Sequence, residues 1–523
     1  MLLRFAFLAA ALAAMSPAQA QSDASRWLQH VKILAADELQ GRLTGTPGYA
    51  AAAAYVAEQF QKAGIQPAAE QGYEQPVPLI EQYVNFETSA LALVHQGRTV
   101  NLAIGQQILP GNRVQQLPDS FDAPLVFAGY GLHLPEIGHD DFAGLDLSGK
   151  ILVILGGGPA EIPGPLKAHA SFSSIWPALA QSGALGVITL SDPDRMDIPW
   201  ERQMLLAKSS GMRLADPNLN DAQQPFFTAR FAPADAELLF AQSGRRFADI
   251  LTLAREGKTL PHFDLGQNLK GHIVAYERTF AAPNIVGRIE GRDTRRKAEY
   301  VVLSAHLDHL GIGPAVDGDA IYNGAMDNAA GIASMIETGR KLVAKKPARS
   351  VLLVAVTGEE RGLLGSRYFA IRPTVAPEAM VANINMDMYL PLWPFTHVTA
   401  LGATESSLGP LSAEVARSLG VRQIPDRYPE RNLFVRSDQY SFVRAGVPAL
   451  ALMFAPTSDA ERQIERAWLH DRYHAPSDDL QQPINPAYAA AFNRYLLQLV
   501  LKVGNLPERP KWNDDSYFKR FAP

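Results

Sequence analysis

Residues 301–331, VVLSAHLDHLGIGPAVDGDAIYNGAMDNAAG, decide how this chain reads. The apolar run Val301, Val302 and Leu303 delivers His306 and Asp308, two residues apart. In an extended strand residues i and i+2 share a face, so both aim at one place. His309 then falls on the face opposite Asp308 and is read as a non-ligand. Asp327 follows a polar turn and precedes an Ala-rich stretch with helical spacing at Ile332, Met335, Ile336 and Leu342. That sets a carboxylate at a helix start. An imidazole and two carboxylates at strand and helix ends are how an α/β fold builds a metal site; a solvated sheet edge is the bland reading of the same residues.

Further along, SVLLVAVTGEE (350–360) reads as a buried strand ending in adjacent Glu359 and Glu360. Neighbours in extended chain face opposite sides, so one ligates a metal while the other faces a bound water. MVANINMDM (380–388) carries Asp387, and RYHAPSDD (472–479) sets Tyr473 and His474 in a loop. His306, Asp327, Glu360, Asp387 and His474 together bring more charge than strand ends hold unpaired. Two divalent cations sharing one carboxylate would neutralise it. Nitrogen and oxygen donors without sulfur favour two zinc ions, with cobalt or manganese as substitutes. The chain has no cysteine, which removes thiolate ligands and a thiol nucleophile.

Around these motifs, NIVGRIEG, YVVLSAH, SVLLVAVTGEE, MVANINMD and ALALMF alternate with helical segments at 328–345 and 406–419. This is the pattern of an α/β fold, a mostly parallel sheet flanked by helices. Ligands in such sheets bind beyond the carboxyl ends of the strands, where the acidic residues lie. Residues 23–67 read as helices broken at Gly45, Pro47 and Gly48, and 70–115 as short antiparallel strands. From 119 to 261 short strands end in Gly or Asp between Pro- and Asp-rich loops, with no dense His/carboxylate cluster. The expected layout is a leader at 1–20, an N-terminal part of the catalytic domain at 21–118, an inserted domain at 119–261, the metal-bearing domain at 262–504 and a tail at 505–523. The tail is expected to pack loosely through Trp512 and Phe518.

The 523 residues are 47% hydrophobic and 19% charged, the profile of a globular chain long enough for more than one domain. A net charge of −5 and a pI near 6.2 argue against nucleic acid or an anionic membrane as partner. Arg4, the apolar stretch Phe5–Met15 and the small-residue site Ala18-Gln19-Ala20 form a secretory leader pattern, so the protein is expected to be exported, to the periplasm or the medium. The apolar stretch is shorter than the roughly 20 residues a membrane span needs, and no second one follows.

The ordered set HLDHLG, NGAMDNAAG, TGEERGLLGS, NMDM and YHAPSDD resembles the zinc metallopeptidase family of bacterial exported aminopeptidases, glutamate carboxypeptidase and glutaminyl cyclase, the twenty-eighth metallopeptidase family. Residues 119–261 resemble the mainly β protease-associated domain often inserted in it, and ELQGRLTGTPGYAAAAAYVAEQF (38–60) resembles its N-terminal lead. The resemblance implies a zinc exopeptidase, aminopeptidase-like fold. It places one zinc on His306, Asp327 and Asp387 and a second on Asp327, Glu360 and His474. It makes Glu359 the general base, Asp308 the carboxylate that orients the metal site, and Tyr473 a donor to the oxyanion. It also implies a cis peptide between Asp327 and Asn328. Met326 stands where the family pattern has Asp, and Gln439 where a His is common, while Ser437 and Asp438 keep the pattern.

The implied activity is that of a dizinc exopeptidase on peptide substrates. Aminopeptidase comes first, because a free amine suits an acidic site. The alternatives are a carboxypeptidase, with Arg427, Arg431 and Arg436 as sources of a carboxylate clamp, then a glutaminyl cyclase, then a binding protein on the same fold. Leu392, Trp393 and Phe395 are read as an apolar pocket, as core or as a dimer contact.

Overall fold

The computed structural model describes residues 17–522 apart from Gln71, Pro118, Asp119 and Asp197; the leader read at residues 1–20 lies, through residue 16, outside them. The strand Ser350–Val356 shows how the main sheet is held. Val351, Leu353 and Ala355 pack into one apolar core, and Leu352, Val354 and Val356 into another. Alternate side chains leave a strand on opposite faces, so a strand apolar throughout needs cover on both. Tyr300–His306 repeats the pattern, with Val301 and Leu303 in the first core and Val302 in the second.

The helices Pro17–Leu34, Pro47–Lys62, Ala330–Lys345 and Pro486–Asn505 cover the first face through Trp27, Phe60, Ile332, Met335, Phe492 and Leu496. Leu364–Ile371 and Gln439–Arg444 cover the second through Phe369 and Phe442. Truncating a side chain as enclosed as Leu353 to Ala costs about 2–5 kcal/mol.

Four parallel strands form the centre of this sheet, in the order Ser350–Val356, Tyr300–His306, Met380–Asn385 and Ala449–Phe454. Antiparallel strands Ala275–Ile289, Glu74–Val84 and Gly211–Leu214 extend one side, and His397–Leu401 the other. The fold is thus α/β, with a parallel centre and antiparallel margins. Register matters for the chemistry. His306 pairs with Val356 and Ser304 with Asn385, so three neighbouring strands end at one level. Just beyond those ends come Glu359, Glu360 and Asp387.

A second sheet runs through residues 98–101, 90–95, 262–272, 121–128, 151–155, 186–190, 227–231 and 108–110, in that spatial order. Phe127, Ile151, Val153, Ile188 and Phe231 fill its own core. It takes strands from both sides of residues 119–261, and Gly211–Leu214 of that block joins the main sheet instead. The tail is bound more firmly than expected. Phe518 is fully buried in a cluster with Phe434, Tyr440 and Val443, and Trp512 Nε1 donates to the Gly446 carbonyl at 3.0 Å. A short 3-10 helix, Tyr517–Phe521, presents Phe518 to this cluster, and the aromatic groups are large enough to dock the tail. Among the described residues no helix is long and apolar enough to cross a membrane.

Candidate metal centre

His306 ends its strand with its ring buried. Its Nδ1 donates to the Asp308 carbonyl at 3.0 Å, which leaves Nε2 to face the carboxylates. That Nε2 lies 3.1 Å from Asp387 Oδ1 and 3.2 Å from Asp327 Oδ1. The other oxygen of Asp327 faces elsewhere: Oδ2 is 3.5 Å from His474 Nε2 and 3.8 Å from His309 Nδ1. Glu360 closes that second group, with Oε2 3.1 Å from His474 Nε2 and Oε1 2.7 Å from His309 Nδ1. The donor atoms of His306, Asp327 and Asp387 all lie within 4.8 Å of one another, as do those of His306, Glu359 and Glu360.

The backbone around these groups is pinned by residues that do not themselves face the cluster's centre. Asp308, wholly buried, accepts the Glu359 N–H on Oδ1 at 3.1 Å and the Glu360 N–H on Oδ2 at 3.3 Å. Asp478 does the same for the turn that leads into the helix Ala330–Lys345, accepting from the Met326 and Asp327 N–H groups at 3.0 Å. Asn328 donates to the Met386 carbonyl at 2.8 Å, tying the Asp327 segment to the residue before Asp387. The Asp327–Asn328 peptide is cis. Gly324 has φ +61°, and a Cβ there would stand 2.2 Å from the Asp327 carbonyl and 2.6 Å from the His309 ring. His474 itself takes a left-handed φ of 55°, which turns the loop after the helix Asp459–Asp471 back toward the strand ends. That loop is braced from outside: Arg202 donates to the Tyr473 and His470 carbonyls, each at 2.9 Å.

Six carboxyl groups (Asp308, Asp327, Glu359, Glu360, Asp387 and Asp438) and three imidazoles crowd this volume. The buried Arg42 guanidinium beside them directs its donors to main chain, to Leu307 at 2.9 Å, Asn323 at 2.6 Å and Gly324 at 3.0 Å. Protons therefore carry the charge balance in the metal-free protein. Burial would lower His306, yet Asp387, Glu359 and Asp327 outweigh it and raise it well above its usual value. His474 is likewise raised to about 10, Glu360 and Asp327 overcoming burial. Burial first, then Asp387, Asp438 and Glu360, hold the Glu359 carboxyl well above the carboxylate range. Burial pushes Asp438 up to about 7. A set of buried carboxylates and imidazole nitrogens on two sides of one shared Asp fits divalent cations.

The structure brings together all eight residues singled out from the sequence. Tyr473 stacks its ring 4.0 Å from that of His474, and burial followed by the Asp327 charge pushes its hydroxyl well above its usual value. His309 is a correction. The strand ends at His306, so the alternation that turned His309 away no longer applies, and its ring points at Glu360. Asp478 also went unassigned, although it lies in the quoted YHAPSDD. Gln439 accepts from Asn385 Nδ2 at 2.9 Å and donates to the Phe434 carbonyl at 2.8 Å, bracing the strand two residues before Asp387. Met326 is buried in the main core. Trp393 and Phe395 are core as well, Phe395 packing 4.7 Å from Phe454 between ring centroids. Arg427 and Arg431 line a narrow cavity of about 50 Å³ with Met388, Leu390 and Glu465.

Residues 284–500, which hold every one of these donors, match the model of Peptidase family M28. A probable zinc metalloprotease of Pyrenophora tritici-repentis is 33% identical over 104 residues, 20% of this chain and 23% of that protein. Another, of Pyrenophora teres f. teres, is 36% identical over 89 residues, 17% of this chain and 19% of its own length. The chain thus matches about a fifth of the length of these curated relatives. Among solved structures, an aminopeptidase from Aneurinibacillus sp. strain AM-1 superposes with a TM-score of 0.53 at 17% identity, covering 91% of this chain and 93% of its own, a likeness of fold.

Proposed function

We propose that the chain belongs to peptidase family M28, whose model matches residues 284–500, and that it is a zinc-dependent exopeptidase, an aminopeptidase that releases the N-terminal residue of peptides. One observation carries the reading: Asp327 divides its carboxylate, Oδ1 toward His306 at 3.2 Å and Oδ2 toward His474 at 3.5 Å. One zinc would be held by His306, Asp387 and Asp327, and a second by Asp327, Glu360 and His474. Bound there, the metals supply Lewis acidity that acidifies a water and polarises a carbonyl.

The remaining chemistry belongs to the chain. Glu359, whose proton affinity burial raises, takes a proton from the attacking water and returns it to the leaving amine. Asp308 fixes where Glu359 stands by accepting its N–H. The Tyr473 hydroxyl stays protonated and donates to the oxygen on which negative charge develops. An acidic centre favours a free ammonium at the substrate's reacting end, which supports aminopeptidase over carboxypeptidase. The leader pattern at Arg4, Phe5–Met15 and Ala18–Ala20 supports action outside the cytoplasm, and residues 119–261 are read as a protease-associated block.

The test is hydrolysis of aminoacyl-anilides and of N-blocked peptides, with and without chelator, beside Glu359→Gln. Chelator-sensitive release from free-amine substrates, lost in the variant, is the expected result. Cleavage of N-blocked peptides alone would replace this reading with carboxypeptidase.

A further inference from the structure

Arg361 follows Glu360 directly and is 7% exposed. Its Nε is buried without a hydrogen-bond partner among the described residues. Buried polar groups are almost always satisfied, and a guanidinium most of all, so an unpartnered one marks a place where a ligand group belongs. Arg361 lines a cavity of about 310 Å³, together with Lys208, Ser209, Ser210, Leu310 and Ile312. That volume stands at the lower end of the ~300–1,000 Å³ range of ligand sites. Among the described residues no carboxylate lines it. The nearby Glu81 is already satisfied, accepting from Ser210 Oγ at 2.6 Å and pairing with Arg278 at 2.7 Å. Arg113 adds a further cation at this corner, its Nη2 donating to the Glu360 carbonyl at 2.8 Å.

The cavity's place gives it meaning. Leu310 follows His309 and Arg361 follows Glu360, so its wall is one residue, about 3.8 Å of chain, from the second metal group. We infer that this cavity receives a carboxylate of the substrate, the terminal carboxylate of a short peptide bound across the metal centre. The inference rests on the peptidase reading. A guanidinium presents paired donors in the fork geometry a carboxylate accepts, and exposed Lys208 on the same lining adds a second attraction for the anion. An extended residue spans about 3.3–3.6 Å, so the carboxylate seated here lies only a few residues from the cleaved bond. The preferred substrates are then di- to tetrapeptides with a free C-terminus.

The test compares kcat/KM for Leu-Gly-Gly with that for its C-terminal amide, and for Leu-Gly-Glu-amide with Leu-Gly-Gln-amide, in wild type, Arg361→Met, Arg361→Lys and Lys208→Met. The wild type should favour the free acid over the amide by about 10-fold, carried by KM. That ratio should fall toward one in Arg361→Met, recover in part in Arg361→Lys, and shrink in Lys208→Met, which alters only an exposed side chain. A preference confined to Glu over Gln would keep the carboxylate site and assign it to an acidic side chain. Chelator-sensitive hydrolysis with no preference in either pair would overturn the inference and leave the peptidase reading intact. If no peptide is cleaved, the peptidase reading fails and calorimetric titration with the acid and amide tripeptides decides: tighter binding of the acid, lost in Arg361→Met, upholds the site, and equal binding removes it.

Discussion

His309 Nδ1 stands 2.7 Å from Glu360 Oε1, both groups enclosed by protein. The imidazole fixes one oxygen of Glu360 and leaves the other for the second metal group. Partners of this kind are worth about 10–100-fold in metal affinity. His309→Leu should weaken one of two zinc-binding events by that factor and leave the other unchanged. Zinc titration calorimetry reads both; two unaltered events would refute the orienting role.

Glu359→Gln keeps the shape of the side chain and removes its capacity to take a proton. The expected loss is about 10²–10⁴-fold in kcat. Zinc content by elemental analysis should match the wild type, since Glu359 is assigned to proton transfer. Full activity in this variant would end the general-base assignment.

Asp308→Asn tests the scaffold separately from the metals. The amide offers one oxygen where the carboxylate serves two main-chain donors. Leaving one buried N–H unmet costs roughly 1–3 kcal/mol. The loss should therefore appear in denaturant melts of the chelated protein. A variant as stable as wild type there would show that Asp308 does not hold the Glu359–Glu360 backbone.

Acid should loosen the tail. His169 packs its ring 5.6 Å from Tyr517 and 5.3 Å from Phe521, and its Nδ1 is paired with the Tyr440 hydroxyl. Burial first, then Arg444 and Arg520, lower it to about 4. The unfolded chain titrates near 6.5, so between about pH 6.5 and 4 it binds the proton that the folded chain refuses. Stability is full above that window and falls as pH drops through it, by up to about 3 kcal/mol. Melting curves across this range should show the slope in wild type and a flatter one in His169→Leu. Identical slopes would refute it.

Much of the centre was legible because it depends on short motifs at strand ends, where alternation and charge are local signals. His306, Asp327, Glu360, Asp387 and His474 each lie within a few residues of an apolar run or a turn. His309 was misread because the same alternation was carried past the last strand residue. Asp478 gave no signal of its own: two adjacent aspartates after a turn look like solvated charge, and only the folded Asp327 backbone shows what the first one accepts. The second sheet was harder still. Residues 90–94 pair with 268–272 across the whole intervening block, and no local pattern encodes a partner so distant.

The Arg202 clamp on the Tyr473 and His470 carbonyls reaches from the 119–261 block to the loop that carries His474. A gene truncated to its family-matching segment would therefore encode every donor atom and still lack the hand that steadies one of them. Exchange of this block between related enzymes would succeed only where the incoming piece brings an equivalent arginine. Residues 119–261 and the segment that holds the donor atoms are thus tied to each other through a single side chain.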